Sequence, residues 1–517
     1  MSRTQRFLGG VSLGYVSLGL ATVVGLWLTP FLLSRIGTSD YGLWLITTQI
    51  LGYLALLDLG VVALAPREMA YATGRVINGG AGGHGDVGAT FGRFRHVVRW
   101  QILPTAIVSL IAWWAVVARF PELHAPLALI LAAFLLAFPL RLYHATLQGL
   151  QDLTYLGKAQ LFAYAAGTVT TITLVLAGGS LMALAIGWIV TQAITAGTCA
   201  WRLRGTFPGI WTARVAAPGL VEAGSLFRRS GWVSLSQVGH VFLNGSDLLV
   251  LGAILGPAAT VPYACTGKLI TVLANHPQLL MQSAAPAIAE MRTSEPRASI
   301  MRVSTALMRA MLILSGAVAC LVLAANEAFV GWWVGSHQFA GMTLTLLLLA
   351  VMLARHFSTT LVYALFSFGH ERRLSLTSLA DGLVSIVVTA ALAWWTGLGV
   401  KSAAIGSLAG VILVSIPACS FALARELELS VARLIASVGG WALRFAGAAA
   451  CCFVVGQLLG DRGFAGLVGA SAAVAVIYTV FMWPLALEAP LGPYVRSALA
   501  SATGLLGIRQ PAVEPRA

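Results

Sequence analysis

Charge is what this chain lacks. Only 10% of its 517 residues are Asp, Glu, Lys or Arg, against about a quarter in soluble domains. With 58% apolar residues, it has too few polar atoms to cover a globular surface in water, so a soluble fold is excluded. Carboxylates are scarcest, 18 Asp and Glu against 32 Lys and Arg. The net charge of +14 still contains no block of five or six like charges, which excludes a nucleic-acid partner. Cysteine is sparse as well. Cys199, Cys265, Cys320, Cys419, Cys451 and Cys452 lie inside apolar runs, with no metal or disulfide spacing. There is no GK[ST] phosphate loop and no attached soluble domain, so the chain carries no nucleotide motor, and neither cofactor nor metal is expected. The glycine-rich stretch 78–92 includes Gly83 to Gly88 in G-x-G-x-x-G spacing. Without a preceding strand it cannot be a dinucleotide fingerprint, and it reads as a flexible loop.

What is present is a succession of apolar runs, near 9–33, 41–66, 97–118, 125–149, 157–178, 181–203, 230–255, 260–288, 303–324, 341–368, 374–396, 400–423, 436–459 and 463–487. At ~20 residues per crossing, they predict an all-α polytopic membrane protein of about fourteen transmembrane helices. The first run is too long for the apolar core of a signal peptide, so it reads as an uncleaved helix. Arginine alternates strongly between connections. Arg67, Arg75, Arg93, Arg95 and Arg99 follow the second run, and Arg202, Arg204, Arg214, Arg228 and Arg229 follow the sixth. The opposite connections hold only Arg35, Arg119, Lys401 and Arg462. Under the positive-inside rule, both termini and the 78–92 loop are expected in the cytoplasm and 325–340 outside.

An internal repeat is visible at one offset. Gly178 and Ala185-Ile186-Gly187 recur 219 residues later as Gly397 and Ala404-Ile405-Gly406, and Gly37 recurs as Gly256. Ala65-Pro66 matches Ala285-Pro286 at an offset of 220. Six spans per repeat leave both halves in one orientation, which predicts two parallel six-helix lobes around a central cavity. The expected division is an N-lobe over 1–204, a cytoplasmic linker over 205–229, a C-lobe over 230–425, two further helices within 436–487, and a cytoplasmic tail over 488–517.

Ionisable residues inside apolar spans are costly and by default face protein or a wet cavity. Here they fall in helical stripes. Gln237, His240, Asn244 and Asp247 share one face of the seventh span; Lys268, Thr271, Asn275, Gln278 and Gln282 share one of the eighth. Arg141, His144 and Gln148 line the fourth, while Arg355, His356, Thr359, Thr360 and Tyr363 line the tenth. Asp58 and Asp381 stand in the second and eleventh. A cavity walled by Arg and Lys favours an anion, and the planar guanidinium suits phosphate. Arg141, His144, Lys268, Arg355, His356, Asn244 and Asn275 are therefore the expected substrate contacts. Asp247, Asp58 and Asp381 are the expected coupling carboxylates, with Asp247 and Lys268 at equal depth and expected to pair. Polar stripes also serve as interhelical hydrogen-bond glue, the competing reading for any single Ser, Thr or Asn.

The segment Ser34-Arg35-Ile36-Gly37-Thr38-Ser39-Asp40-Tyr41-Gly42-Leu43-Trp44, then Leu56-Leu57-Asp58-Leu59-Gly60 and Arg67-Glu68, resembles the start of bacterial polysaccharide transporters. These form the O-antigen flippase-like branch of the multidrug/oligosaccharidyl-lipid/polysaccharide (MOP) exporter superfamily. Gly331-Trp332-Trp333-Val334-Gly335 resembles that family's outer W-x-G segment. The resemblance implies flipping of undecaprenyl-pyrophosphate-linked oligosaccharide across the bacterial inner membrane by alternating access, with membrane lipid, a polysaccharide polymerase and chain-length proteins as partners. Many such flippases have twelve spans, against fourteen runs counted here. Two other classes fit less well: an ion-coupled multidrug exporter of the same superfamily, and a membrane glycosyltransferase or polymerase acting on the same lipid.

Overall fold

The computed structural model describes residues 3–77, 83–212, 220–294, 297–428, 430–459 and 463–496. They are helical almost throughout, with no strand among the described residues. Contacts divide the chain into two compact units, Met1–Val261 and Pro262–Ala517.

The first unit holds α1 (Arg3–Leu54), α2 (Val61–Ile77), α3 (Gly83–Arg119), α4 (His124–Ala137), α5 (Arg141–Gly149), α6 (Leu153–Leu176), α7 (Leu181–Thr206), the short α8 (Pro208–Thr212) and α9 (Leu220–Leu255). The division falls just inside α10 (Pro257–Ser294). Beyond it come α11 (Arg297–Val334), α12 (Met342–Ser367), α13 (Glu371–Trp395), α14 (Lys401–Gly410), α15 (Ile416–Glu426), α16 (Val431–Leu459) and α17 (Gly463–Leu487). Repeat counting separates the lobes before the seventh run; contacts separate them after it. The physical reason is the close packing of α9 on α1. A Cβ on Gly252 would meet Ile46 Cδ1 at 2.4 Å, and one on Gly245 would meet Gln49 Oε1 at 2.6 Å.

Among the described residues, eleven helices are long and apolar enough to cross a membrane, or twelve if the pair Gln237–Leu243 and Gly245–Leu255, bent by 50°, counts as one span. The difference from fourteen runs has two main sources. The first and second runs merge, because Gly19–Asp58 is one continuous candidate. Its 40 residues would extend ~60 Å as a straight helix, twice a bilayer core, and the helix is broken at Gly37 (φ 81, ψ 170). The eighth run lies in α10, where Lys268, Asn275, His276 and Gln278 dilute the apolar character. The glycine-rich stretch also differs from expectation. From Gly83 onward it is the first part of α3, not a loop, since its later residues Val87 and Phe91 are buried in the first unit's core; residues 78–82 lie outside the described ones.

The repeat is built into the packing. Gly37 (φ 81) and Gly256 (φ 91), related by the 219 offset, both take left-handed backbone at a break between helices, a conformation that favours glycine. Gly187 and Gly406 are also equivalent. A Cβ on Gly187 would lie 1.9 Å from Thr171 Oγ1, and one on Gly406 would lie 2.1 Å from Thr389 Oγ1. Each glycine lets two neighbouring helices close to backbone contact, as small residues do within membranes. The motif that carried the family resemblance is architectural in the same way. Asp40 accepts a hydrogen bond from Ser180 at the start of α7, and a Cβ on Gly42 would lie 2.1 Å from the Pro257 carbonyl oxygen.

The two C-terminal helices belong to the second unit. α16 and α17 bury Trp441, Ala448, Cys452, Tyr478 and Met482 against Met308, Leu312 and Cys320 of α11. Tyr478 donates its hydroxyl to the Ile313 carbonyl.

Candidate functional site

In the first unit, three of the expected site residues come together. α1 ends in a tight turn at Ala55–Asp58, and the chain then passes through left-handed Leu59 (φ 49, ψ 38) and Gly60 (φ 69) before α2 begins. Asp58 Oδ1 accepts the Gly60 backbone N–H at 2.8 Å, an Asx turn that stabilises the break. Gln101 of α3 donates to the Asp58 carbonyl at 2.9 Å. The other carboxylate oxygen meets Arg141 Nη2 at 3.2 Å, with side-chain exposures of 3% for Asp58 and 33% for Arg141. Arg141 Nη1 donates to the Ala55 carbonyl at 3.3 Å, and the guanidinium sits 5.9 Å from the Phe138 ring centroid.

One edge of Arg141 is thus fixed and the remainder faces a cavity of about 240 Å³. Val62, Ala137, Leu140, His144, Gln192, Thr195 and Ala196 line it with Arg141. The wall joins one guanidinium, an imidazole, an amide and a hydroxyl to small apolar side chains. Such a mixture suits a ligand with an anionic group and neutral hydrogen-bonding groups. Gln192 and Thr195 were not singled out from the sequence, although their i, i+3 spacing in the apolar sixth run met the same stripe criterion. Gln148, the third member of the fourth stripe, is exposed and does not line the cavity.

Asp247 is half-buried in α9, and its charge acts on the Tyr53 hydroxyl, which is hydrogen-bonded to neighbouring Ser246. The Asn244 side chain lies outside the described residues.

The second unit arranges its charges differently. Arg355 of α12 grips Asp381 of α13 with both ends of its fork, Nη1 to Oδ2 at 3.2 Å and Nη2 to Oδ1 at 3.4 Å. Ser385 donates to Asp381 Oδ1 at 3.2 Å, and Ser415 donates to Oδ2. The Arg355 and Asp381 side chains are 21% and 0% exposed. Ser415 reaches the carboxylate from a π-helical turn, Val411–Ser415, between α14 and α15. The inserted residue of such a turn re-aims a side chain that an α-helix would direct elsewhere. A Cβ on Gly410 would lie 2.2 Å from Ser385 Oγ and 2.3 Å from Asp381 Oδ1, so the absent side chain makes room for the carboxylate.

His356 is buried, with Nδ1 2.6 Å from Ser315 Oγ. That hydroxyl already donates to the Met311 carbonyl, so the imidazole Nδ1–H is the donor between them. Lys268 is half-buried beside Cys265 and makes no ion pair with a described residue of its own unit. Asn275 is exposed on α10. Asp247 falls in the first unit and Lys268 in the second. Among the described residues, no group of three or more His, Cys, Asp or Glu could hold a metal ion.

Breaks, buried ion pairs and repeated glycine contacts of this kind define a repeat-built membrane fold, and solved structures share it. The lipid II flippase MurJ, in an inward closed conformation, aligns with a TM-score of 0.57 at 10% identity, over 91% of this chain and 99% of its own. An inward-facing multidrug resistance MATE family transporter of the MOP superfamily aligns with a TM-score of 0.53 at 14% identity, over 80% of this chain and 95% of its own. The chain shares the fold of these two transporters. Residues 97–308 match the family described as "Polysaccharide biosynthesis protein", and no curated protein sequence matches the chain. Family match and fold together bear out the resemblance to polysaccharide transporters: this is a multi-pass membrane protein that shares the fold of those two transporters and carries a stretch similar to the polysaccharide biosynthesis family.

Proposed function

We propose that the protein flips an undecaprenyl-pyrophosphate-linked oligosaccharide across the bacterial inner membrane by alternating access, with both termini in the cytoplasm. The observation that carries this reading is Arg141: held on one edge by Asp58 and Ala55, it lines a cavity with its side chain still one-third exposed. A fixed guanidinium edge is pre-organised for phosphate oxygens. His144, Gln192 and Thr195 supply the neutral partners that hydroxyl and amide groups require when they leave water. Lys268, Asn244 and Asn275 are proposed as further polar contacts of the substrate. When phosphate takes Arg141, Asp58 loses its counter-ion and becomes the coupling carboxylate by accepting a proton, because an unpaired buried charge is far more costly than a neutral acid. Asp381, saturated by Arg355 and two serines, serves in this reading to hold the second unit together.

Proteoliposomes containing the purified chain and a fluorescent undecaprenyl-pyrophosphate glycan test this reading. Wild-type protein should move the label to the opposite leaflet. Arg141→Ala should abolish movement at normal expression, and Arg141→Lys should restore part of it, because charge remains while the fork is lost. Full activity of Arg141→Ala would overturn the assignment.

A further inference from the structure

Where α17 ends, three guanidinium groups meet three consecutive residues of the second unit. Arg496 Nη2 donates to the Leu487 carbonyl at 3.4 Å. Arg444 Nη2 lies 3.9 Å from Glu488 Oε1, while its Nη1 donates to the Phe481 carbonyl at 3.4 Å. Arg309 Nη1 donates to the Ala489 carbonyl. These side chains arrive from separate places: Arg309 from α11, Arg444 from α16 and Arg496 from the segment after α17. Among the described residues, Glu488 is the only carboxylate paired with any of them, so three positive charges meet one negative.

Helix capping explains part of this arrangement, because basic side chains bond the last carbonyls of a helix. It uses one N–H of Arg309 and one of Arg496, and a guanidinium carries five. Arg309 Nε is buried with no hydrogen-bond partner. The Arg444–Glu488 contact is longer than a hydrogen bond, and its side chains are 38% and 52% exposed. Donors therefore outnumber acceptors at this helix end.

The surface around the cluster indicates which anion it suits. α17 is apolar enough to span a membrane from Ala465 to Leu487, so the arginines gather where the span ends. Trp483 and Tyr494, before and after them in sequence, are exposed, and such aromatic side chains concentrate at the level of lipid headgroups. Val476, Val480 and Trp483 are exposed at i, i+4 and i+7, one helical face that runs toward the cluster. From Val476 to Leu487 the helix rises ~17 Å, about half of a ~30 Å hydrocarbon core.

We propose that Arg309, Arg444 and Arg496 form a binding site for the phosphate of an anionic glycerophospholipid, with an acyl chain along Val476 and Val480. Phosphate offers a guanidinium paired oxygens, and Glu488 is its internal competitor for Arg444. Basic pockets between membrane helices take such headgroups, and this one would hold the two C-terminal helices to one leaflet.

Native mass spectrometry of the full chain in detergent, titrated with dioleoylphosphatidylglycerol or dioleoylphosphatidylcholine, tests the site. Wild-type protein should retain phosphatidylglycerol and release phosphatidylcholine. Arg496→Gln should weaken phosphatidylglycerol binding about fivefold, and Arg444→Gln with Arg496→Gln about thirtyfold. Glu488→Gln should tighten it about threefold, because Arg444 loses its competing carboxylate. Arg496 and Glu488 are exposed, so these single variants decide if the double variant does not fold. Unchanged phosphatidylglycerol binding in either single variant would mean that the arginines only cap α17, and would overturn the proposal. Equal retention of phosphatidylcholine would leave ordinary annular lipid and overturn it as well. So would displacement by millimolar inorganic phosphate, which marks a general anion site, or by undecaprenyl pyrophosphate, which marks a substrate-docking site.

Discussion

Each compact unit buries one carboxylate against one guanidinium, and the two pairs are built for different work. In the first unit, Arg141 meets a single oxygen of Asp58, and the other oxygen is taken by a backbone N–H at a left-handed break. In the second, Asp381 receives both arms of Arg355 and the hydroxyls of two serines. The first pair leaves a cation edge on a cavity; the second encloses its carboxylate completely, with Asp381 at 0% exposure and Arg355 at 21%. The 219 offset sharpens the contrast, because it places Leu136 opposite Arg355 and Phe162 opposite Asp381. The packing glycines recur at that offset while the charges do not. A repeated scaffold therefore keeps its helix contacts in both copies and places its charges independently.

Breaking the saturated pair should have the largest effect. Asp381→Ala strands Arg355 and removes the acceptor of two serines, so a loss of ~3–5 kcal/mol is expected, read as a collapsed melting temperature in detergent. Asp58→Ala should cost less, because Arg141 is partly solvated and keeps the Ala55 carbonyl, while transport is lost. Equal destabilisation by the two substitutions would dissolve the distinction.

Gly410→Ala is the next test. Its methyl would press on Ser385, the Asp381 carboxylate and the Asp381 backbone, at an expected cost of ~1–3 kcal/mol. Gly187→Ala, pressed against Thr171 and the Gly167 carbonyl, and Gly406→Ala at the equivalent position, pressed against Thr389 and the Ser385 carbonyl, should each cost about the same by the same assay. That would show the glycine contacts to be shared by both units.

Smaller effects are expected at the cavity wall. Gln192→Ala and Thr195→Ala each remove one neutral hydrogen bond, worth ~1 kcal/mol, so the substrate concentration for half-maximal flipping should rise about fivefold in proteoliposomes with little change in melting temperature. The smallest change has the opposite sign. Leu59→Gly relieves a left-handed leucine, a strain of ~1–2 kcal/mol, partly offset by the added freedom of glycine in the unfolded chain. A slightly raised melting temperature with transport intact is expected, and a fall would mean that the Leu59 side chain supports the break.

Hydropathy alone determined that this is a multi-pass helical membrane protein, because a chain with so little charge has no other solvent. Spacing alone exposed the repeat, since close helix contacts demand glycine at fixed positions such as Gly187 and Gly406. Helical periodicity put Arg141 beside His144 and Arg355 beside His356. It could not tell them apart, because a polar stripe looks the same whether it meets a cavity or another helix. That distinction came from tertiary structure. Leu59 and Gly60 turn the chain so that Asp58 reaches Arg141, and the π-turn at Val411–Ser415 brings a serine from 34 residues away onto Asp381. Left-handed breaks and π-turns follow from the packing of distant helices, which no local spacing records. The fold was therefore legible in the sequence, and the separate roles of its two ion pairs were not.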